Sequence, residues 1–156
     1  GTLWAWGKND HGQLGDGTTS SKDTPIQELT EATNWSAIAA GERYTVGLKS
    51  NGTLWAWGEN GYGQLGDGTN ADRRIPTQES TGATDWSSIS AGRWRTAALK
   101  SDGTLWVWGN NDYGHLGDGT TAEKHTRTQE FTGANNWAAI ATVATTQLTL
   151  TTIRTL

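Results

Sequence analysis

Gly1-Thr2-Leu3-Trp4-Ala5-Trp6-Gly7 returns as Gly52-Thr53-Leu54-Trp55-Ala56-Trp57-Gly58, and again as Gly103-Thr104-Leu105-Trp106-Val107-Trp108-Gly109. The spacing is 51 residues both times. A fixed period of this length marks a solenoid, a propeller or another array. The chain divides into repeats 1–51, 52–102 and 103–156, the last degenerate after about residue 141, and together they form one repeat domain. Near-copies seldom hold one unique catalytic constellation. Function is therefore sought where the repeats differ.

Within a repeat the segments read as short strands. Trp86-Ser87-Ser88-Ile89-Ser90-Ala91-Gly92 is one, and Thr96-Ala97-Ala98-Leu99-Lys100 follows as a second. Ser101-Asp102-Gly103 between this run and the next is a hairpin signal, and Asn51-Gly52 stands at the same place one repeat earlier. Thr104 to Trp108 alternates with period two, so Leu105 and Val107 face one side and Trp106 and Trp108 the other. Both sides are apolar, as in a strand packed between neighbouring sheets. Thr24-Pro25-Ile26-Gln27 carries a Pro, which suits an edge strand. Four short strands per repeat, with no helical spacing, predict an all-β fold of four-stranded antiparallel propeller blades.

These residues resemble a known family. Trp55-Ala56-Trp57-Gly58, then Gly63-Gln64-Leu65-Gly66-Asp67-Gly68-Thr69, a Pro-containing run, Ile89-Ser90-Ala91-Gly92 and Leu99-Lys100-Ser101-Asp102-Gly103 are similar to the regulator of chromosome condensation repeat, over nearly the whole chain. The resemblance implies a propeller, usually of seven blades, with the Ile-x-Ala-Gly strand lining the channel. It implies a range of functions. The founding member is a nucleotide exchange factor for a small nuclear GTPase and also binds chromatin. Others, among them a bacterial β-lactamase inhibitor and surface proteins of bacteria, use the blades only to bind proteins. Function must therefore be argued from sites. The bacterial relatives favour a secreted or cell-surface location.

Composition narrows the choice. Ten Trp stand against one Phe and no Met, and 21 Gly suit many tight turns. With no Cys there is no disulfide, thiolate nucleophile or Cys-ligated metal. A net charge of −4 argues against a nucleic-acid-binding surface. No apolar run approaches the ~20 residues of a membrane span. The sequence opens inside a repeat, as a processed form or an excerpt would. With strands A to D running from channel to rim, it reads C–D, two complete blades, then A–B. Three blades cannot close, since propellers typically need four to eight. Either the chain is part of a longer propeller, or chains complete one another's blades as a homo-oligomer, in a ring or a filament. In the second case Thr2–Trp6 is expected to pair antiparallel with residues from about Thr145 to Leu150 of another chain. Leu150 stands at the repeat position of Leu99.

Several residues invite a functional reading. Asp16, Asp67 and Asp118 recur in Gly-Asp-Gly-Thr. They suit structural turns; a calcium loop needs more oxygens than one recurring carboxylate. No metal or cofactor is expected. Trp4, Trp6, Trp35, Trp55, Trp57, Trp86, Trp106, Trp108 and Trp137 hold fixed repeat positions and are expected to pack between blades. Trp94 is not repeated. It stands where repeat one has Arg43, in Arg93-Trp94-Arg95. That composition is typical of a binding hot spot, or of a Trp packed locally under an Arg. The A–B turn, Glu42-Arg43-Tyr44 in repeat one, is the most divergent segment. The loop after Trp-Gly places rings at His11, Tyr62 and Tyr113. Arg93, Trp94, Arg95, Arg43, Tyr44, His11, Tyr62 and Tyr113 are thus the candidate binding residues.

No His-x-x-x-His pair, Gly-x-Ser-x-Gly elbow or phosphate loop is present. The expected function is a non-enzymatic binding or structural module that displays blade loops to a protein partner. A lectin-like module that binds carbohydrate in equivalent clefts is the alternative. Nucleotide exchange, by family analogy, comes last.

Overall fold

The computed structural model describes residues 1–142. Ten strands and no helix form among them: β1 (Trp4–Gly7), β2 (Lys22–Gln27), β3 (Trp35–Ala40), β4 (Tyr44–Lys49), β5 (Leu54–Gly58), β6 (Arg73–Gln78), β7 (Trp86–Ala91), β8 (Arg95–Lys100), β9 (Leu105–Gly109) and β10 (Lys124–Gln129). β1 and β2 make a two-stranded sheet; β3-β4-β5-β6 and β7-β8-β9-β10 are four-stranded sheets in chain order. All neighbours are antiparallel. Each four-stranded sheet takes strands A and B from one repeat and C and D from the next. The result is a half-blade and two whole blades of a propeller. Trp137 N donates to Gly103 O at 3.2 Å, as Trp86 N does to Gly52 O at 3.1 Å, so the next A segment sets out in register. The expected tail strand from Thr145 to Leu150 lies outside the described residues.

Local chemistry accounts for these elements. At the second B–C hairpin, Gly103 N donates to Lys100 O and Lys100 N to Thr104 O, each at 3.0 Å. Gly103 sits at φ 81°, the left-handed region that favours glycine. This is a three-residue loop closed by a left-handed Gly, a common hairpin connection. The D strands lie at the outer edge, and β2 and β6 each contain a Pro whose missing N–H costs no ladder bond there.

The core is built between blades. In β4 and β5, Val46 stands opposite Ala56 and Leu48 opposite Leu54. This apolar face joins Tyr44, Leu65, Trp86, Ala98 and Trp108 in one buried cluster. Ala97, Leu99, Leu105, Val107 and Leu116 form a second cluster, against which Trp137 and Ile140 pack. Trp55 and Trp57, two residues apart, share the other face of β5. Trp57 is 1% exposed. Its Nε1 donates to Gln13 O at 3.0 Å, in the C–D loop of the preceding blade. Trp108 repeats the bond with Gln64 O at 2.9 Å. Thr45 and Thr96 hydroxyls reach the same two carbonyls at 2.8 and 2.7 Å. Each blade is thereby fastened to the one before it.

Trp4 and Trp6 depart from this pattern. They are 52% and 62% exposed. Neither the A and B strands of their own blade nor a preceding C–D loop stands beside them among the described residues.

Candidate functional site

Antiparallel order places the A–B turns and C–D loops on one face of the blades and the B–C turns on the other. The C–D loop of one blade meets the A–B turn of the next. His11 thus approaches Arg43, and 51 residues later Tyr62 approaches Trp94. Two equivalent sites on one scaffold carry different side chains.

The C–D loops are held from inside. Asn60 is fully buried. Its Nδ2 donates to Asp67 Oδ1 at 3.1 Å, Thr69 O at 3.0 Å and Ala71 O at 3.2 Å. Its Oδ1 accepts from Leu65 N at 2.9 Å. Asn9 and Asn111 do the same in the other loops. Asp67 Oδ1 accepts from Thr69 N and Oγ1, and Oδ2 from Arg73 Nε at 2.7 Å. Burial works to raise this carboxyl, but the Thr69 and Arg73 hydrogen bonds outweigh it and hold it below the usual carboxylate range. Asp16 and Asp118 are lowered in the same way, with Lys22 and Lys124 as cations, each at 3.2 Å. The recurring carboxylates are filled by donors from their own loops. Among the described residues no three His, Asp or Glu side chains gather as a metal-ligand group.

A second set of acids organises the D–A connections. Glu28 is buried. Its Oε2 accepts from Thr30 N at 2.7 Å and Thr30 Oγ1 at 2.6 Å, and its Oε1 from Ala32 N at 2.9 Å and Trp35 Nε1 at 3.2 Å. Glu79 and Glu130 repeat the backbone and Thr bonds. Neither the Asn set nor the Glu set is among the residues singled out from the sequence. Their signal is there: each residue is identical in all three repeats.

The candidate binding residues separate into two groups. Trp94 is half-buried, its ring 5.3 Å from that of Tyr62 and 4.0 Å from the Arg93 guanidinium. Arg93 in turn pairs with Glu42. Beside them, His11 Nδ1 lies 2.9 Å from Asp72 Oδ2, and Arg43 Nη1 lies 3.5 Å from His11 Nε2 and 3.7 Å from Glu59 Oε1. The structure thus brings Arg93, Trp94 and Tyr62 together, and likewise Arg43 and His11. Tyr113 is on the same face and 84% exposed, with its ring 5.5 Å from His115; the A–B turn of its repeat lies outside the described residues.

Tyr44 and Arg95 go inside instead. They open β4 and β8 at the same repeat position, and alternation turns both side chains into the layer between blades. The Tyr44 hydroxyl donates to Arg95 O, and the Thr96 hydroxyl, which donates to Gln64 O, lies 3.2 Å from it. Burial pushes the Tyr44 phenol up and the Arg95 guanidinium down. Both side chains are buried rather than lining the displayed surface, and the Tyr44 hydroxyl joins one blade to the main chain of the next.

Comparison with known proteins gives one consistent answer. The Regulator of chromosome condensation (RCC1) repeat matches residues 1–48, 51–99 and 102–141. The chain is 35% identical to the Ultraviolet-B receptor UVR8 of Arabidopsis thaliana over 121 residues, which is 76% of this chain and 28% of that protein. It is 33% identical to the human E3 ubiquitin-protein ligase HERC2 over 77% of this chain, but only 2% of that protein. The chain therefore spans a minor part of these relatives. Among solved structures, human WBSCR16 superposes with a TM-score of 0.79 at 25% identity, over 92% of this chain and 38% of the other. Prp20p of Saccharomyces cerevisiae, a protein with binding properties to Gsp1p and histones, gives 0.76 at 21% identity with the same coverage.

Proposed function

This chain belongs to the Regulator of chromosome condensation repeat family, and we propose that it is a non-enzymatic scaffold that binds a protein partner through the face bearing its A–B turns and C–D loops. One observation carries the reading. Residues identical in every repeat (the Asn9, Asp16 and Glu28 positions) are consumed inside the loops they hold. Residues that differ gather on one face, as His11 with Arg43 and then Tyr62 with Trp94. An unvarying interior under a varying face is the arrangement of a display scaffold. Trp and Tyr beside Arg are the side chains enriched at binding hot spots. A protein partner also agrees with the binding of Gsp1p and histones by Prp20p, a propeller of the same fold.

The test compares the two faces. The chain is immobilised and a partner is retained from an extract of the cells that make it. Tyr62→Ala with Trp94→Ala is expected to lose that partner. Ser50→Arg with Ser101→Arg, on the exposed B–C turns, is expected to keep it. The opposite pattern overturns the proposal. So does release by free sugar with about one sugar bound per blade, which would make the chain a lectin.

A further inference from the structure

Two neighbouring A–B turns are tied to each other across the blades. Glu42 and Arg93 hold the same repeat position, 51 residues apart, and their side chains form an ion pair. The Arg93 guanidinium also lies over the Trp94 ring, 4.0 Å from its centroid. Tyr62, from the C–D loop of the first whole blade, meets the same ring at 5.3 Å. The guanidinium thus has an aromatic surface beneath it and a carboxylate at its edge. These are the two contacts by which a protein recognises an arginine from outside. Here the occupant is a side chain of the same molecule.

Little holds that occupant in place. The Arg93 side chain is 42% exposed and that of Glu42 35%. Ion pairs and cation–π contacts at the surface are each weak. The cations over the repeated tryptophans are different. Lys100 and Arg127 lie over both Trp86 and Trp106, and their side chains are only 14% and 19% exposed. Those are parts of the blade; Arg93 is a lid on its surface. The charge around it also admits another cation. Glu42, Glu59 and Glu123 stand there against Arg43 and Arg93, and the partner of Glu123 is His125, which packs under Gly63 beside Tyr62.

We propose that Trp94 and Glu42 form a guanidinium seat, closed in the free chain by Arg93, and that the protein partner inserts an arginine there and turns Arg93 out. The proposal rests on the reading that this face meets a partner. The exchange is nearly balanced. The incoming guanidinium remakes the contact with the Trp94 ring and the pair with Glu42, and Arg93 passes into water. The seat is open only for the fraction of time that Arg93 is away, and apparent affinity falls by that fraction. Arg93 therefore turns away lone cations and admits an arginine carried on a larger interface.

An NMR titration tests this, with acetyl-arginine amide as the probe and the indole N–H signals of isotope-labelled tryptophan as the readout. Loss of one signal in Trp94→Phe identifies that of Trp94. Arg93→Ala, with the seat open, should bind the probe at least about threefold more tightly than the parent. Adding Glu42→Gln to Arg93→Ala should abolish that gain. The neutral isostere, acetyl-citrulline amide, should leave the Trp94 signal in place in every chain. The remaining tryptophan signals check the fold of each variant, and Arg93→Gln serves if Arg93→Ala does not keep it. On the immobilised chain, acetyl-arginine amide should release the partner and the citrulline compound should not. An Arg93→Ala chain no tighter than the parent, a gain that survives Glu42→Gln, or citrulline acting like arginine would each overturn the seat. If Tyr62→Ala with Trp94→Ala still loses the partner in that case, the face stands without the seat; a partner kept by that double variant overturns the face reading itself.

Discussion

Asn60 uses both ends of its amide with no surface exposed, so removing it strands several buried backbone groups at once. An unsatisfied buried group costs about 1–3 kcal/mol. Asn60→Ala is therefore expected to cost roughly 3 kcal/mol, a fall in Tm of roughly 6–12 °C for a domain of this size, read by thermal melting. The acids give a pH prediction. Asp16, Asp67, Asp118, Glu28 and Glu130 all have folded values below their ordinary ones. Their stabilisation is complete above the unfolded carboxylate range, about 4, and is lost as pH falls through the folded values. Tm should stay level from neutral pH to about 5 and drop steadily below about 4; Asp67→Asn should flatten that acid limb. Little of this is legible in the sequence. Polar residues in a loop read as solvated, and only their identity in three repeats hints at burial. Arg95 misleads for a related reason. A strand read from Thr96 leaves Arg95 in the turn; it is the first strand residue, and alternation sends it inward.

At the scale of elements the sequence is more open. Alternation in Leu105-Trp106-Val107-Trp108, the Asp-Gly hairpin and the Pro of the D strand locate strands, turns and edges, because each rests on a residue type with a fixed backbone consequence. The bond that fastens blade to blade is not legible, since its acceptor is a main-chain carbonyl and leaves no mark in the sequence. Trp57→Ala removes that bond and a buried ring, and should cost about 3–5 kcal/mol in denaturant unfolding. Trp6→Ala, at a ring 62% exposed, should stay within about 0.5 kcal/mol in the same chain. Equal losses at both sites would refute the role given to the strand C tryptophans. Gly66 tests the same joint from the other side. It sits at φ 70°, and a Cβ there would lie 2.7 Å from Trp108 Nε1. Gly66→Ala should cost at least about 1–3 kcal/mol from backbone strain, and more if the indole is displaced.

At the scale of the whole molecule, the repeats give a row of nearly equivalent joints, and the two described between a C–D loop and an A–B turn are topped by different side chains. The period announces the blades and the divergence between repeats announces the face. The grouping of Tyr62 with Trp94 needs the structure, because the two lie on different blades and far apart in sequence. The central claim is that this face, and not its opposite, meets the partner. Site-specific photo-crosslinking tests it most directly, with a benzophenone side chain at position 43 or 113 on the A–B and C–D face, or at position 50 or 101 on the B–C face. The account predicts one discrete crosslinked protein from positions 43 and 113 and none from 50 and 101. Crosslinking from 50 and 101 alone would contradict it.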